Sequence, residues 1–285
     1  MLNSDPLWPR AGDWPSPVDE EWADVALIGM PTSRTSLSPT QAHTTPGAVR
    51  EMLRRYAQLT ELRIVDAGDL REPDLNEDGA IATVAALRAE LVIALGGDNA
   101  ATVPTAMGRW GTSLETAGLI TLDAHHDVRD GTTNGSPVRR LLEAGLDGSR
   151  VVQIGIEPLA NSLAYAQRVR DAGITVITRD ELRVRSMDDV MAQALEIAGA
   201  AGGPIHVDLD VDVCDRSVAP ACPASVPGGI LAIDLRLAAR IAGAHSLVSS
   251  IDLVEVDAAS DSADERTVRL VALCVLEAIS GVAGR

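Results

Sequence analysis

Residues 118–127, GLITLDAHHD, set five mostly apolar residues directly against a run of carboxylates and imidazoles. A short apolar run bounded in this way reads as a strand buried on both faces, the kind a parallel sheet contains. Two more stretches have the same form: 91–95 runs into Gly96-Gly97-Asp98-Asn99, and 205–209 into Asp210-Val211-Asp212-Val213-Cys214-Asp215. Further strands are expected at Ala23–Met30, 62–67, Val151–Ile156, 174–178 and Val248–Val254. Helical runs fall between most of them, at 80–89, 138–144, 163–172, 190–200 and 235–242, with 265–279 closing the chain. Thr44 or Thr45 with Pro46 would cap and start another, running to Arg54.

Strand then helix, repeated about eight times, implies a parallel sheet covered on both faces, because parallel neighbours need a crossover connection. A three-layer α/β/α sandwich with a mainly parallel, roughly eight-stranded sheet and a closed barrel both satisfy the repeat. In either, ligands gather at the carboxyl ends of the strands. The three acid-rich clusters lie at such ends. While the chain stays extended, Asp123, His125 and Asp127 point to one side, as do Asp210 and Asp212. Hard carboxylates with an imidazole, and no thiolate at ligand spacing, suit Mn²⁺ better than a structural zinc. Two bridging carboxylates would hold two ions roughly 3.5 to 4 Å apart, the separation used in two-metal hydrolysis. The bland reading, ordinary acids in loops, has to explain the same coincidence at three strand ends.

The chain of 285 residues is 46% hydrophobic, enough for a large core. No Pro, Gly or Ser linker interrupts the repeat, so 22–285 is read as a single catalytic domain. Residues 1–21, with Pro6, Pro9, Pro15, Pro17 and two Trp, read as an extended arm. A net charge of −17 argues against nonspecific binding to nucleic acid or to an anionic membrane. It leaves the substrate's charge open, since a bound dication or one Arg reverses the field locally. No apolar run has the length of a membrane span and no basic-then-apolar leader is seen, so the expectation is a soluble, cytoplasmic protein. Cys214, Cys222 and Cys274 are too few for a disulfide framework and are read as small buried thiols. The absence of Phe argues against a base-stacking platform.

Gly-Gly-Asp-Asn at 96–99, Asp-Ala-His-His-Asp at 123–127, and Asp-Leu-Asp-Val-Asp-Val-Cys-Asp from 208, followed by Pro220-Ala221 and Gly229, resemble the signature blocks of the arginase, agmatinase and formimidoylglutamase (ureohydrolase) family. The resemblance covers most of residues 22–280 and implies the arginase-like sandwich. The family's metal-binding Asp-x-Asp has a Pro ten residues after its first acid and a Gly nine further on, and Asp210 with Asp212 meets Pro220 and Gly229. Asp208 then takes a place usually held by Ser or Thr, and Arg216 one often held by Pro. The resemblance implies two Mn²⁺ ions, one among Asn99, Asp123, Asp127 and Asp210, the other among Asp123, His125, Asp210 and Asp212. Family members commonly carry His where Asn99 stands, and an amide oxygen is the weaker donor, so the first site is expected to be labile. The alternative is that Asn99 only caps the following helix. By alternation His126 points away from the metals. His206 reads as a packed strand residue, and His43, in the long loop after the first strand, as a candidate for the mouth of the site.

Metal-assisted hydrolysis of a C–N bond is the implied chemistry: water activated between the ions attacks an amidine carbon, and Asp127 orients it. Glu255, in Leu-Val-Glu-Val-Asp, is placed by the resemblance against the cationic amidine or guanidine. The stretch Asp127-Val128-Arg129-Asp130, then Asn134-Gly135-Ser136-Pro137-Val138, resembles formimidoylglutamases more than the His-bearing loop of arginases and agmatinases. No His lies between His126 and His206, so arginase's proton-shuttle His has no counterpart here. Arg129 is the candidate partner of a substrate carboxylate, with Asn134 and Ser136 as further substrate-binding candidates. The reading is a formimidoylglutamase of histidine breakdown, giving L-glutamate and formamide. Its runner-up is an agmatinase or other guanidino-substrate hydrolase releasing urea. A reading of another class is a metal- or ligand-binding member without turnover. The family further suggests a trimer or hexamer.

Overall fold

The computed structural model describes residues 5–18 and 21–285. Its strands are β1 Ala23–Met30, β2 Ile64–Asp69, β3 Ala89–Gly96, β4 Gly118–Leu122, β5 Val151–Ile156, β6 Thr175–Thr178, β7 Ile205–Asp210 and β8 Val248–Val254. They form one eight-stranded sheet in the order β2-β1-β3-β8-β7-β4-β5-β6, with every neighbouring pair parallel. The order is open, with β2 and β6 as its edges, so the sandwich holds and the barrel does not.

The helices are α1 Thr45–Leu53, α2 Glu77–Ala86, α3 Thr102–Trp110, α4 Pro137–Ala144, α5 Leu163–Asp171, α6 Arg179–Leu182, α7 Met187–Ala198, α8 Ala232–Ala244 and α9 Arg266–Val282. Strand alternation sorts the core between the two faces. Leu27, Ile93, Leu209 and Leu253 pack on the side that receives Val49 of α1, Val190 of α7, Leu235 of α8 and Val271 of α9. Ile28, Val92, Ala94 and Val254 face Val84 of α2, while Leu119 and Val151 face Trp110 of α3, Leu141 of α4 and Val169 of α5.

Several boundaries differ from the sequence reading, each for a local reason. The second helix begins at Glu77, because the Asn76 side chain accepts from Gly79 N and two acids fill the first turn, where they complement the helix dipole. Thr44 precedes α1 but makes no side-chain cap. The capping role that is the alternative for Asn99 is taken by Asp98, whose carboxylate accepts from Ala100 N. Helix α3 follows directly, a helix to which the sequence reading assigned no span.

The described part of the N-terminal arm lies along the body. Arg10 bridges Ala57, Ala11 N donates to Tyr56 O, and Pro15 O accepts from Asp66 N of the edge strand. Cys214, Cys222 and Cys274 are free and buried, in line with the reading. Among the described residues no helix is long and apolar enough to cross a membrane.

Candidate active site

Four adjacent strands, β3-β8-β7-β4, deliver the acid-rich segments to one place. The Gly96-Gly97 pair makes this convergence possible. A Cβ on Gly97 would lie 1.9 Å from the Thr32 carbonyl oxygen, and one on Gly96 would lie 2.9 Å from that of Leu253. Only glycine lets β1, β3 and β8 end this close together. Gly97 O then accepts from Glu255 N, which ties the end of β8 to the turn carrying Asn99.

Beyond the strand ends, turns take over from the pleat in aiming the side chains. Strand β4 stops at Leu122 and β7 at Asp210, so the simple alternation expected through Asp127 and Asp212 does not operate there. Asp127 instead has φ 51° and Glu255 φ 61°, left-handed conformations that few non-glycine residues adopt. Asp212 sits in a single 3₁₀ turn whose first N–H bond goes to Asp210 Oδ1. Strain of this kind collects where the surroundings require one side-chain direction.

The side chains form two half-sites. In one, His125 Nδ1 lies 3.0 Å from Asp212 Oδ2 and 3.4 Å from Asp123 Oδ1, and the three candidate ligand atoms fall within 4.8 Å of one another. In the other, Asn99 Nδ2 donates to Asp127 Oδ2 at 2.5 Å and lies 3.4 Å from Asp210 Oδ2. Asn99 and the four acids are buried, and His125 is partly open to the cavity.

Burial pushes the Asp123 carboxyl up to about 6, and the charge of Asp212 adds to this. Burial, followed by the neighbouring acids, lifts Asp127 and Asp210 well above the ordinary carboxylate range. For Asp212 burial acts upward too, but the charge and hydrogen bond of His125 outweigh it and hold the group below its ordinary value. Burial works against the His125 cation, yet Asp212 and then Asp123 hold it at about 12. Glu255 rises to about 8 through burial and then the proximity of Asp98. Several hard oxygen donors whose charges repel one another, with one imidazole among them, are a donor set that divalent cations fit and relieve.

His125, Asp127, Asp210, Asp212 and Glu255 floor a cavity of about 400 Å³ walled by Leu37, Arg129, Asn134 and Tyr165. The Arg129 guanidinium lies 5.8 Å from the centre of the Tyr165 ring. Its stem passes over Gly135, where a Cβ would come 2.7 Å from Arg129 Cδ. Among the described residues no acceptor engages that guanidinium. Asn134 acts on Glu255: its Nδ2 donates to Glu255 Oε1 at 2.6 Å, beside the Asn99 N–H at 2.8 Å, while its Oδ1 accepts from Leu37 N.

Ser136 departs from the sequence reading. It is fully buried, donates to Thr133 O and accepts from Thr133 N, so it holds its own turn and lies outside the cavity wall. His126 points away as expected, with Nδ1 2.7 Å from Gln153 Oε1, and His206 is packed against Ser250. His43 lies beside Ser33 on the surface and does not reach the cavity. The sequence reading missed Leu37, Tyr165 and Asn161. The last of these accepts from His126 N and donates to Ala124 O, bracing the Asp123–Asp127 turn. None of the three carries a motif, and what marks them is their loop position once the sheet order is known.

The arginase family model matches residues 23–281. The formimidoylglutamase of Halalkalibacterium halodurans is 32% identical, over 95% of this chain and 92% of its own length. The crystal structure of the Bacillus subtilis formimidoylglutamase superposes with a TM-score of 0.90 at 28% identity, covering 99% of this chain and 94% of the other. That of the Trypanosoma cruzi formiminoglutamase with Mn²⁺ gives 0.89 at 24% identity, over 98% and 99%, a likeness of fold.

Proposed function

The chain belongs to the arginase family, and from that premise we propose that it is a formimidoylglutamase, a metal-dependent hydrolase that converts N-formimidoyl-L-glutamate and water into L-glutamate and formamide. The observation that carries the choice of substrate is the opposition of charges within one cavity. Glu255 lies on the floor, and Arg129, which meets no acceptor among the described residues, lies on the wall. A cationic amidine suits the first and a carboxylate the second. Agmatine, a dication without a carboxylate, would bring a positive charge against Arg129.

Asn99, Asp123, Asp127 and Asp210 would hold one divalent ion, and Asp123, His125, Asp210 and Asp212 the other, with Mn²⁺ the best match to this donor set. Bound there, the pair supplies positive charge that lowers the pKa of water and stabilises the developing tetrahedral centre. The protein's own groups do the rest. Glu255, fixed by Asn99 N and Asn134 Nδ2, accepts from the amidine N–H groups and sets the carbon's position. Asp127 takes the proton that water loses as its oxygen adds to that carbon. It returns the proton to the glutamate nitrogen as the C–N bond breaks, and the hydroxyl proton left on the carbon passes to the released amine, so formamide and the ammonium form of glutamate leave with the charge that the amidine brought. A buried carboxylate that lines the cavity floor suits this exchange.

The same reading includes a cytoplasmic homo-oligomer. Three free buried cysteines agree with a reducing compartment, and the family resemblance supports a trimer or hexamer. The test is a side-by-side assay of formimidoylglutamate, agmatine, arginine and guanidinobutyrate with Mn²⁺, following formamide or urea. Formimidoylglutamate is expected to have the highest kcat/KM. Preferred turnover of agmatine, with urea as product, would reject the assignment, and tight Mn²⁺ binding with no turnover of any of the four would favour a binding protein.

A further inference from the structure

Thr102, the first residue of α3, is 1% exposed, and its hydroxyl donates to Asn99 Oδ1 at 2.5 Å. On the other side of the same amide, Asn99 Nδ2 faces Asp127 and Asp210. This arrangement satisfies the amide fully, but it presents a donor to the two acids that are assigned to share an ion with Asn99. An N–H group cannot ligate a cation. For Asn99 to contribute, its amide must turn by half a revolution about the last side-chain bond, exchanging Oδ1 and Nδ2.

After that turn the group facing Thr102 is an NH₂, and the partner it needs is an acceptor. A hydroxyl is both donor and acceptor and rotates to suit, so Thr102 serves the amide in either orientation. Among the described residues Thr102 is the side chain that hydrogen-bonds this end of the amide, and the intervening Ala100 and Ala101 have no polar side-chain atom. We propose that Thr102 is a positioning residue for the first metal site: its hydroxyl exchanges roles as the Asn99 amide turns, and so holds the amide oxygen on the ion. This rests on the assignment of Asn99 as a ligand in the proposed function. Valine in its place would fill the same volume with the wrong chemistry, leaving the turned NH₂ buried without an acceptor and favouring the unligated orientation.

The test is Mn²⁺ titration of the metal-stripped full-length protein, read by electron paramagnetic resonance and by bound metal per chain, for wild type, Thr102→Val, Thr102→Ser and Asn99→Ala. Outer-shell partners of metal ligands typically affect affinity by about 10- to 100-fold. Thr102→Val is therefore expected to weaken one of the two ions by roughly tenfold or more and leave the other unchanged, while Thr102→Ser stays near wild type. If Asn99→Ala loses one ion and Thr102→Val binds both as wild type does, the role of Thr102 is overturned and the ligand assignment stands. Wild-type titration by Asn99→Ala overturns the ligand assignment, and the role of Thr102 falls with it. Should Thr102→Val fail to fold, as judged by its melt without metal, Thr102→Ala is read against the same two outcomes.

Discussion

Asp208 on β7 and Asp252 on β8 stand in register as direct cross-strand neighbours, and both are buried, at 1% and 0% exposure. Burial, and then Asp252, pushes the Asp208 carboxyl well above its ordinary range. No oxygen of Asp208 or Asp252 finds a hydrogen-bond donor among the described residues, although His206 Nε2 lies 3.3 Å from Asp252 Oδ2. Resemblance to the family places a Ser or Thr at position 208, where the carboxyl pair would not arise. Asp208→Ser is therefore expected to stabilise the metal-free protein by about 1 to 3 kcal/mol, the usual size of an unmet buried polar group. Thermal or urea melts with chelator check this, and a lower melting point would show that the Asp208 carboxyl is needed in place.

Metal-free protein should lose stability as pH rises from about 4, the ordinary carboxylate value, to about 8. Asp123 at about 6 and Glu255 at about 8, with Asp127 and Asp210 also raised, bind protons more tightly folded than unfolded. Their contribution is whole below the unfolded value and disappears as pH passes through the folded one. His125, raised to about 12, acts in the same direction above its ordinary value, while Asp212, lowered, acts oppositely and favours the fold once pH exceeds the ordinary carboxylate value. Mn²⁺ binding requires Asp123, Asp127 and Asp210 ionised, so the stabilisation it provides should grow over the same window. Melting curves with Mn²⁺ and with chelator at pH 5, 6, 7 and 8 should diverge, and parallel curves would remove the metal from the explanation.

Asp210 is assigned to both ions, whereas Asn99 is assigned to one. Asp210→Ala is expected to remove most bound metal and with it activity, and Asn99→His to lower the Mn²⁺ concentration required, because imidazole is a better donor than an amide. Full activity in thoroughly metal-stripped Asp210→Ala protein would sink the two-ion assignment. An unchanged titration for Asn99→His would leave Asn99 as a hydrogen-bonding residue only.

The acids could be read from sequence because the chemistry demands carboxylates and imidazole at strand ends, and an apolar strand running into Asp123 or Asp210 is visible without a structure. The helix α3 was harder to see. Pro104 and Gly108 look like breakers, yet the proline falls in the first turn, where a missing N–H costs little. Gly108 lets the helix approach α2 so closely that a Cβ would come 2.7 Å from that of Val84. Ser136 was misplaced because a motif fixes a residue's neighbourhood in sequence but not its χ1, and here the hydroxyl turns back to Thr133. Tyr165, on α5, reaches the cavity from the segment that follows β5, a proximity that depends on the order of strands.

Arg129 and Asn134 lie on the same wall, yet they should fail in different ways. Arg129 is exposed and has no ion-pair partner among the described residues, so its loss should remove binding of the substrate carboxylate and leave the reacting end in place. A charge-assisted hydrogen bond is worth about 1.5 to 3 kcal/mol, so Arg129→Ala should raise KM for formimidoylglutamate by roughly tenfold or more with a smaller effect on kcat. Asn134 instead holds Glu255 Oε1 and, through Leu37 N, the loop that lines the cavity beside it. Asn134→Ala removes one of the two donors that fix Glu255 Oε1, and a displaced Glu255 sets the amidine carbon poorly. The expected result is a fall in kcat that is larger than the rise in KM. Steady-state kinetics of the two variants separate these effects. Equal KM changes with no loss of kcat in Asn134→Ala would return Asn134 to simple substrate binding and leave Glu255 positioned by the Asn99 backbone alone.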